Sequence, residues 1–217
     1  ILPKIPEYGL ERLLRGHREN RMPRSVMRNQ GGWLGGAWEV LVSNQAQGTL
    51  FNTYTTAKTV LPASCLYDTT KNWWQIGRKM RMTITGGISN RVTGPDTTTF
   101  QFMQTAVSAF SSGAMNLTTT VHTTLPFWAE CLVTCFVTGA AAAVMGQWRV
   151  AGQMFAASAS QADSAASHGF LLAPNTAPAN GTTFDSTAVQ TTDFFVAQSV
   201  SNAGNGIQVS QYLLEAQ

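Results

Sequence analysis

Apolar and polar positions alternate along much of the chain beyond residue 36. Arg78, Met80, Met82 and Ile84 fall between Lys79, Arg81, Thr83 and Thr85. A period of two marks a half-buried strand, and Gly86-Gly87 predicts its end. Trp38 to Val42 predicts a first short strand, and the β-branched and aromatic stretch Thr49 to Leu61 a second that stops at Pro62. After the turn signal Gly94-Pro95-Asp96, alternation resumes over Thr98 to Met103 with Phe100 and Phe102 on one face. Val107 to Ala114 and Met115 to Val121 read as further strands.

The strongest hairpin pattern spans residues 127–155. Phe127, Ala129, Cys131, Val133, Cys135 and Val137 form one inward row, against Trp128, Glu130, Leu132 and Thr134 on the other face. Past Gly139 the chain returns with Trp148, Val150 and Met154 inward and Gln147, Arg149 and Gln153 outward. Residues 156–180, rich in Ala, Ser, Asn and Pro, predict a loop with one short strand near Phe170-Leu171-Leu172. Asp193 to Val200 and Gly206 to Leu214 are the closing strands, joined by the turn-forming Ser201 to Asn205. Some eight to ten short strands with little helix predict an all-β fold, a jelly-roll-like β-sandwich over residues 37–217. No repeat of fixed period appears.

Residues 1–36 follow a different pattern and predict an extended N-terminal arm. Leu10, Leu13, Leu14 and His17 fall at helical spacing within Glu7 to Asn20, with Arg12, Arg15 and Arg18 largely on other faces. So short a helix is marginal alone and orders by docking. Pro23 ends it, and Gly31-Gly32-Trp33-Leu34-Gly35-Gly36 reads as a flexible joint with an aromatic anchor.

Charge sharpens the division. Residues 1–28 hold seven Lys or Arg and three Glu, a net of +4, whereas residues 92–217 hold Arg149 against six acids, a net of −5. Charged residues are only 12% of the chain, about half the usual share. A surface so poor in charge is suited to contact with other protein chains. The six arginines from Arg12 to Arg28 could meet phosphate. Three interleaved glutamates and the absence of a nucleic-acid module favour protein contact instead. The opening residues show no secretory signal pattern, and the apolar window Phe127 to Met145 is interrupted by Glu130, Thr134, Thr138 and Gly139, which predicts a hairpin and not a membrane span.

Catalytic chemistry has little to stand on. No spaced pair of carboxylates and no His with an orienting partner emerges. Asp96 and Asp185 sit in turn patterns, and Glu130 is predicted to face outward, where Arg149 on the neighbouring strand meets it. Cys65, Cys131 and Cys135 give no disulfide framework, and Cys131 and Cys135 read as small buried hydrophobes. His17, His122 and His168 are scattered singly, so no metal site is predicted. No cofactor and no enzymatic activity are expected. Trp73-Trp74 and Trp128 can form a sugar-stacking platform, although one of the Trp73-Trp74 pair is more simply a plug at the end of the sandwich.

Four stretches resemble tailed-bacteriophage virion proteins. They are Gly48-Thr49-Leu50-Phe51-Asn52-Thr53-Tyr54-Thr55-Thr56-Ala57-Lys58-Thr59-Val60-Leu61-Pro62-Ala63, Trp73-Trp74-Gln75-Ile76-Gly77-Arg78-Lys79-Met80-Arg81, Thr124-Leu125-Pro126-Phe127-Trp128, and Ser201-Asn202-Ala203-Gly204-Asn205-Gly206-Ile207-Gln208-Val209. The resemblance covers residues 48–214 and leaves out the arm. It implies a jelly-roll particle component located in the virion and leaves its part open among head decoration, minor capsid protein and tail or fibre protein. With the charge-poor body and basic arm, the expected role is a capsid decoration or cement protein. The expected partners are further copies of itself, as a homo-oligomer and most simply a trimer, and the major capsid protein or another virion protein. The arm, with Leu10, Arg12, Leu13, Leu14, Arg15, Arg18, Arg21, Arg24, Arg28 and Trp33, is the expected partner-binding segment. The alternative is a tail or fibre-associated receptor-binding protein, with Trp73 and Trp74 reading a glycan.

Overall fold

The computed structural model describes residues 37–45, 47–48, 50–53, 55–91, 96–155, 170–176 and 178–217. The chain divides into Ile1–Trp38 and Glu39–Gln217. The helix expected at Glu7 to Asn20, the arm residues from Leu10 to Trp33, and His168 lie outside the described residues.

The described strands, in chain order, are β1 (Glu39–Asn44), β2 (Phe51–Asn52), β3 (Lys58–Thr59), β4 (Tyr67–Thr69), β5 (Lys79–Asn90), β6 (Thr97–Gln104) and β7 (Val107–Ser111). They continue as β8 (Met115–Asn116), β9 (His122–Val137), β10 (Ala143–Gly152), β11 (Phe170–Ala173), β12 (Ala179–Asn180), β13 (Gln190–Gln198) and β14 (Gly206–Ala216). Two antiparallel sheets result. The larger runs β1-β14-β5-β9-β10-β11, with β2 on β14 and β12 on β10; the smaller runs β3-β13-β6-β7, with β4 on β13 and β8 on β6. Their facing sides share one apolar core, so the fold is a β-sandwich.

Alternation explains that core. Met80, Met82 and Ile84 of β5 and Ala129, Cys131 and Val133 of β9 are fully buried, as are Phe100 and Phe102 of β6 and Phe194 and Val196 of β13. Phe100 sits at the centre. Its ring centroid lies 5.2 Å from Phe194 in its own sheet and 5.7 Å from both Phe127 and Trp148 in the opposite one. Edge-to-face and tilted contacts of this kind add about 0.5–1.5 kcal/mol each beyond burial. The three cysteines are free and buried, as the apolar run around Cys131 and Cys135 predicted for those two.

Several expected boundaries move. Gly86-Gly87 does not close β5, which runs on to Asn90. Gly86 pairs with Phe127, and a Cβ there would stand 2.0 Å from the Gln208 carbonyl oxygen and 3.0 Å from the Phe127 ring. The glycine serves close packing inside the sheet and not a turn. The stretch Thr49 to Leu61 is not one strand. β2 joins the large sheet and β3 the small one, so the chain crosses between layers. Val107 to Ala114 ends as a strand at Ser111, and in the next segment Met115–Asn116 forms a short strand followed by a single bridge from Leu117 to Phe155. Val137 leaves the inward row and is 40% exposed, because a bulge at Ala143/Val144 shifts the register where it pairs. The closing strands β13 and β14 lie in opposite sheets, so the turn at Ser201 to Asn205 bridges the layers.

Candidate functional site

The turn at Thr70 to Asn72 delivers Trp73 and Trp74 to one end of the sandwich, with the Trp73 amide donating to the Thr70 carbonyl at 3.1 Å. Trp74 points into the core and is 2% exposed. Its indole N–H donates to Gln104 Oε1 at 2.9 Å, and Gln104 Nε2 donates in turn to Thr192 Oγ1 at 2.9 Å and to the Met103 carbonyl. Trp74 makes edge contacts with Trp73 at 4.9 Å and with Phe184 at 5.7 Å. It is the plug that the sequence suggested. Trp73 is half-buried. The Arg78 guanidinium lies 4.5 Å from its ring centroid and also donates to the Trp73 carbonyl. The two indoles stand at 87° to each other, so they present no common stacking plane.

Trp128 is not part of this pair. The 73–78 segment meets β9 where the Gly77 amide donates to the Cys135 carbonyl. Cys135 lies seven positions beyond Trp128 on β9, about 23 Å along the sheet.

The outer face of the large sheet is built in rows that the strand register defines. One row joins Gln211, Thr85, Trp128 and Ala151; the next joins Ser43, Leu213, Thr83, Glu130, Arg149 and Leu172; a third joins Val40, Glu215, Arg81, Leu132 and Gln147. The charges on these rows are paired. Arg149 Nη1 lies 3.4 Å from Glu130 Oε1, as the outward placement of Glu130 predicted. Arg81 donates through both Nε and Nη2 to Glu215 Oε2 at 2.7 Å. The described residues hold seven Lys or Arg and seven Asp or Glu, which balance.

The first of these rows floors a shallow groove of about 760 Å³. Thr85, Trp128 and Ala151 form its base, and Gln45, Ser210, Gln211 and Gln153 stand around it. Its position follows from the backbone. A bulge between Val209 and Gln211 turns β14 aside beside this row. A smaller depression of about 210 Å³ continues it along β1 and β14 and shares Gln45, Thr85 and Gln211. Thr85 Oγ1 donates to Gln211 Oε1 at 3.1 Å. None of the residues lining either depression carries a formal charge at neutral pH.

Burial pushes the Cys131 thiol well above its ordinary value, and it raises Cys65 and Cys135 as well. Among the described residues, no three His, Cys, Asp or Glu side chains gather as a metal site. No helix among them is long and apolar enough to cross a membrane.

Asp96 has a role the sequence did not disclose. It is fully buried at the opposite end from Trp74, where the turn between layers closes. Its Oδ1 accepts from the Thr97 amide at 2.8 Å, the Ser199 hydroxyl at 2.7 Å and the Val200 amide at 3.2 Å, and its Oδ2 accepts from Asn205 Nδ2 at 2.8 Å. Asn205 Oδ1 accepts from the Arg91 amide at 2.8 Å. One carboxylate thus ties together the ends of β5, β6, β13 and β14. Its turn signal was visible; its partners, about a hundred residues away, were not.

No protein-family model matches the chain, and no curated protein matches it.

Proposed function

We propose that this chain is a structural virion protein of a tailed bacteriophage. Its part is that of a capsid decoration or cement protein, on a sandwich of jelly-roll type with a basic arm. The observation that carries the reading is the outer face of the large sheet. It is broad and regular, its charges are cancelled in place by Arg81–Glu215 and Arg149–Glu130, and both its edges show exposed apolar side chains, Val40 at 55% and Leu172 at 44%. A face of that kind loses little on desolvation against another chain. The resemblance supports the same reading. Three of its four stretches meet on β14, where Ile207 pairs with Phe51, and Glu215 and Ala216 pair with Arg81 and Met80.

On this reading the chain binds the assembled shell better than its free subunits and stabilises it by mass action, about 2.7 kcal/mol at a hundredfold excess over Kd. The arm, with Leu10, Leu13, Leu14, Trp33 and its arginines, straps neighbouring subunits, and trimeric attachment raises residence through effective concentration. Purified virions, analysed by mass spectrometry and by thermal release of the shell with and without the chain, test this. The expected result is a stoichiometric virion component whose loss lowers the shell's melting temperature. Absence from purified particles, or an unchanged melting temperature, overturns it.

A further inference from the structure

We propose that the groove over Trp128 is a binding site for a neutral oligosaccharide. Three observations support this. The first is the chemistry of the lining. Trp128 contributes an indole, against which the C–H face of a sugar ring packs, and Gln45, Gln153, Gln211, Ser210 and Thr85 contribute side-chain amides and hydroxyls. Each amide offers a donor and an acceptor side by side, which matches vicinal hydroxyl groups. Gln45, Gln153, Ser210 and Gln211 are all exposed, and the Thr85 bond to Gln211 Oε1 leaves the Gln211 Nε2 hydrogens as donors.

The second is charge. The lining of both depressions is uncharged at neutral pH, and the nearest ionic groups on the sheet, Glu130 and Arg149, neutralise each other one row away. An anionic ligand, whether a sulfated or sialylated glycan or nucleic acid, finds no cation there.

The third is shape. The groove lies on a sheet face, where the backbone groups are already spent in the β5–β9–β10 ladders. A peptide adding as a strand has nothing to pair with. The two depressions join through Gln45, Thr85 and Gln211, which gives room for more than one ring of a linear chain. Trp73 and Trp74, at the far end of the sandwich, have no part in it.

The test is an array of neutral and anionic oligosaccharides probed with the full chain, then calorimetric titration of the strongest neutral hit. The expected result is saturable binding of a neutral glycan. Trp128→Ala should weaken it about tenfold or more, a Gln153→Ala/Gln211→Ala double variant severalfold, and Trp73→Ala not at all. Both glutamines are exposed, so the double variant decides the matter if Trp128→Ala fails to fold. Recognition of anionic glycans alone, binding of none, or neutral binding indifferent to the double variant each overturns the site. If no glycan binds and the double variant instead changes the oligomeric state in sedimentation, the groove is a contact between copies and the proposal falls. The groove lies on the same outer face as the proposed shell contact, so glycan binding is read on the free chain and shell attachment on virions, and the failure of one is distinguishable from the failure of the other.

Discussion

Removing the Asp96 carboxylate should unfasten the end of the sandwich where four strands meet. In Asp96→Ala, four donors lose an acceptor, but unequally. The Thr97 amide still reaches Ser199 Oγ at 2.9 Å, and Asn205 Nδ2 still reaches the Val200 carbonyl at 3.1 Å. The Ser199 hydroxyl and the Val200 amide lose the acceptor that satisfies them. A hydrogen bond to a charged acceptor contributes about 1.5–3 kcal/mol, so two lost in full come to about 3–6 kcal/mol. The carboxylate's own desolvation cost disappears with it, which brings the expected loss to about 3–5 kcal/mol. For a domain whose total stability is about 5–15 kcal/mol, that is a large share. Asp96→Asn is the finer probe. It keeps an acceptor for Thr97, Ser199 and Val200 but sets an amide NH₂ against the NH₂ of Asn205. Asn205 cannot turn over without surrendering the bond from the Arg91 amide. The expected cost is about 1–3 kcal/mol. Guanidinium unfolding followed by tryptophan fluorescence measures both, as a shift in midpoint at constant slope. A loss under about 1 kcal/mol for the alanine variant, or an asparagine variant as stable as the parent, would refute the reasoning.

Four further expectations come from other parts of the molecule. Trp74→Ala, which empties a core site and orphans Gln104 Oε1, should cost about 3–5 kcal/mol in chemical unfolding. Gly86→Ala drives a Cβ onto the Gln208 carbonyl, which the β5–β14 ladder holds in place, and should cost about 1–3 kcal/mol by the same measurement. Asp193 is buried, and desolvation raises its carboxyl pKa although the Phe194 amide and the Thr59 hydroxyl oppose this. The folded state therefore holds the proton longer than the unfolded chain does, and stability falls as pH rises from the ordinary value of 3.8 through the raised one. Asp193→Asn should lack that fall, so its stability advantage over the parent grows from acid to neutral pH; parallel curves would contradict the assignment. Glu130→Arg should leave the domain folded at a cost of about 1–3 kcal/mol, since the 3.4 Å pair is weak but the Glu130 side chain is only 15% exposed and the new cation faces Arg149. It should nonetheless abolish attachment to the shell, because it places two unopposed cations on the proposed contact face. Pelleting with particles reads that out.

The sequence by itself determined the local geometry. A period of two set which residues of β5, β9 and β10 face inward, and so placed Met82, Cys131 and Trp148 in the core and Glu130 beside Arg149. Side-chain direction in a strand depends only on position along it, which is why those features were legible. Glycine was read less well. Gly86-Gly87 looks like a terminus in one dimension, and only the approach of Gln208 from β14 and of Phe127 from β9 shows why no side chain fits. The same limit hid the Asp96 junction and the groove over Trp128. Trp128 was visible as an outward aromatic, and Gln153 as an outward amide, but Gln45 and Gln211 reach the same place from strands far away in the chain. Which sheet a strand joins, and which distant side chains it brings face to face, depends on packing between layers. No residue's neighbours along the chain encode that, so it was left to the tertiary structure to decide.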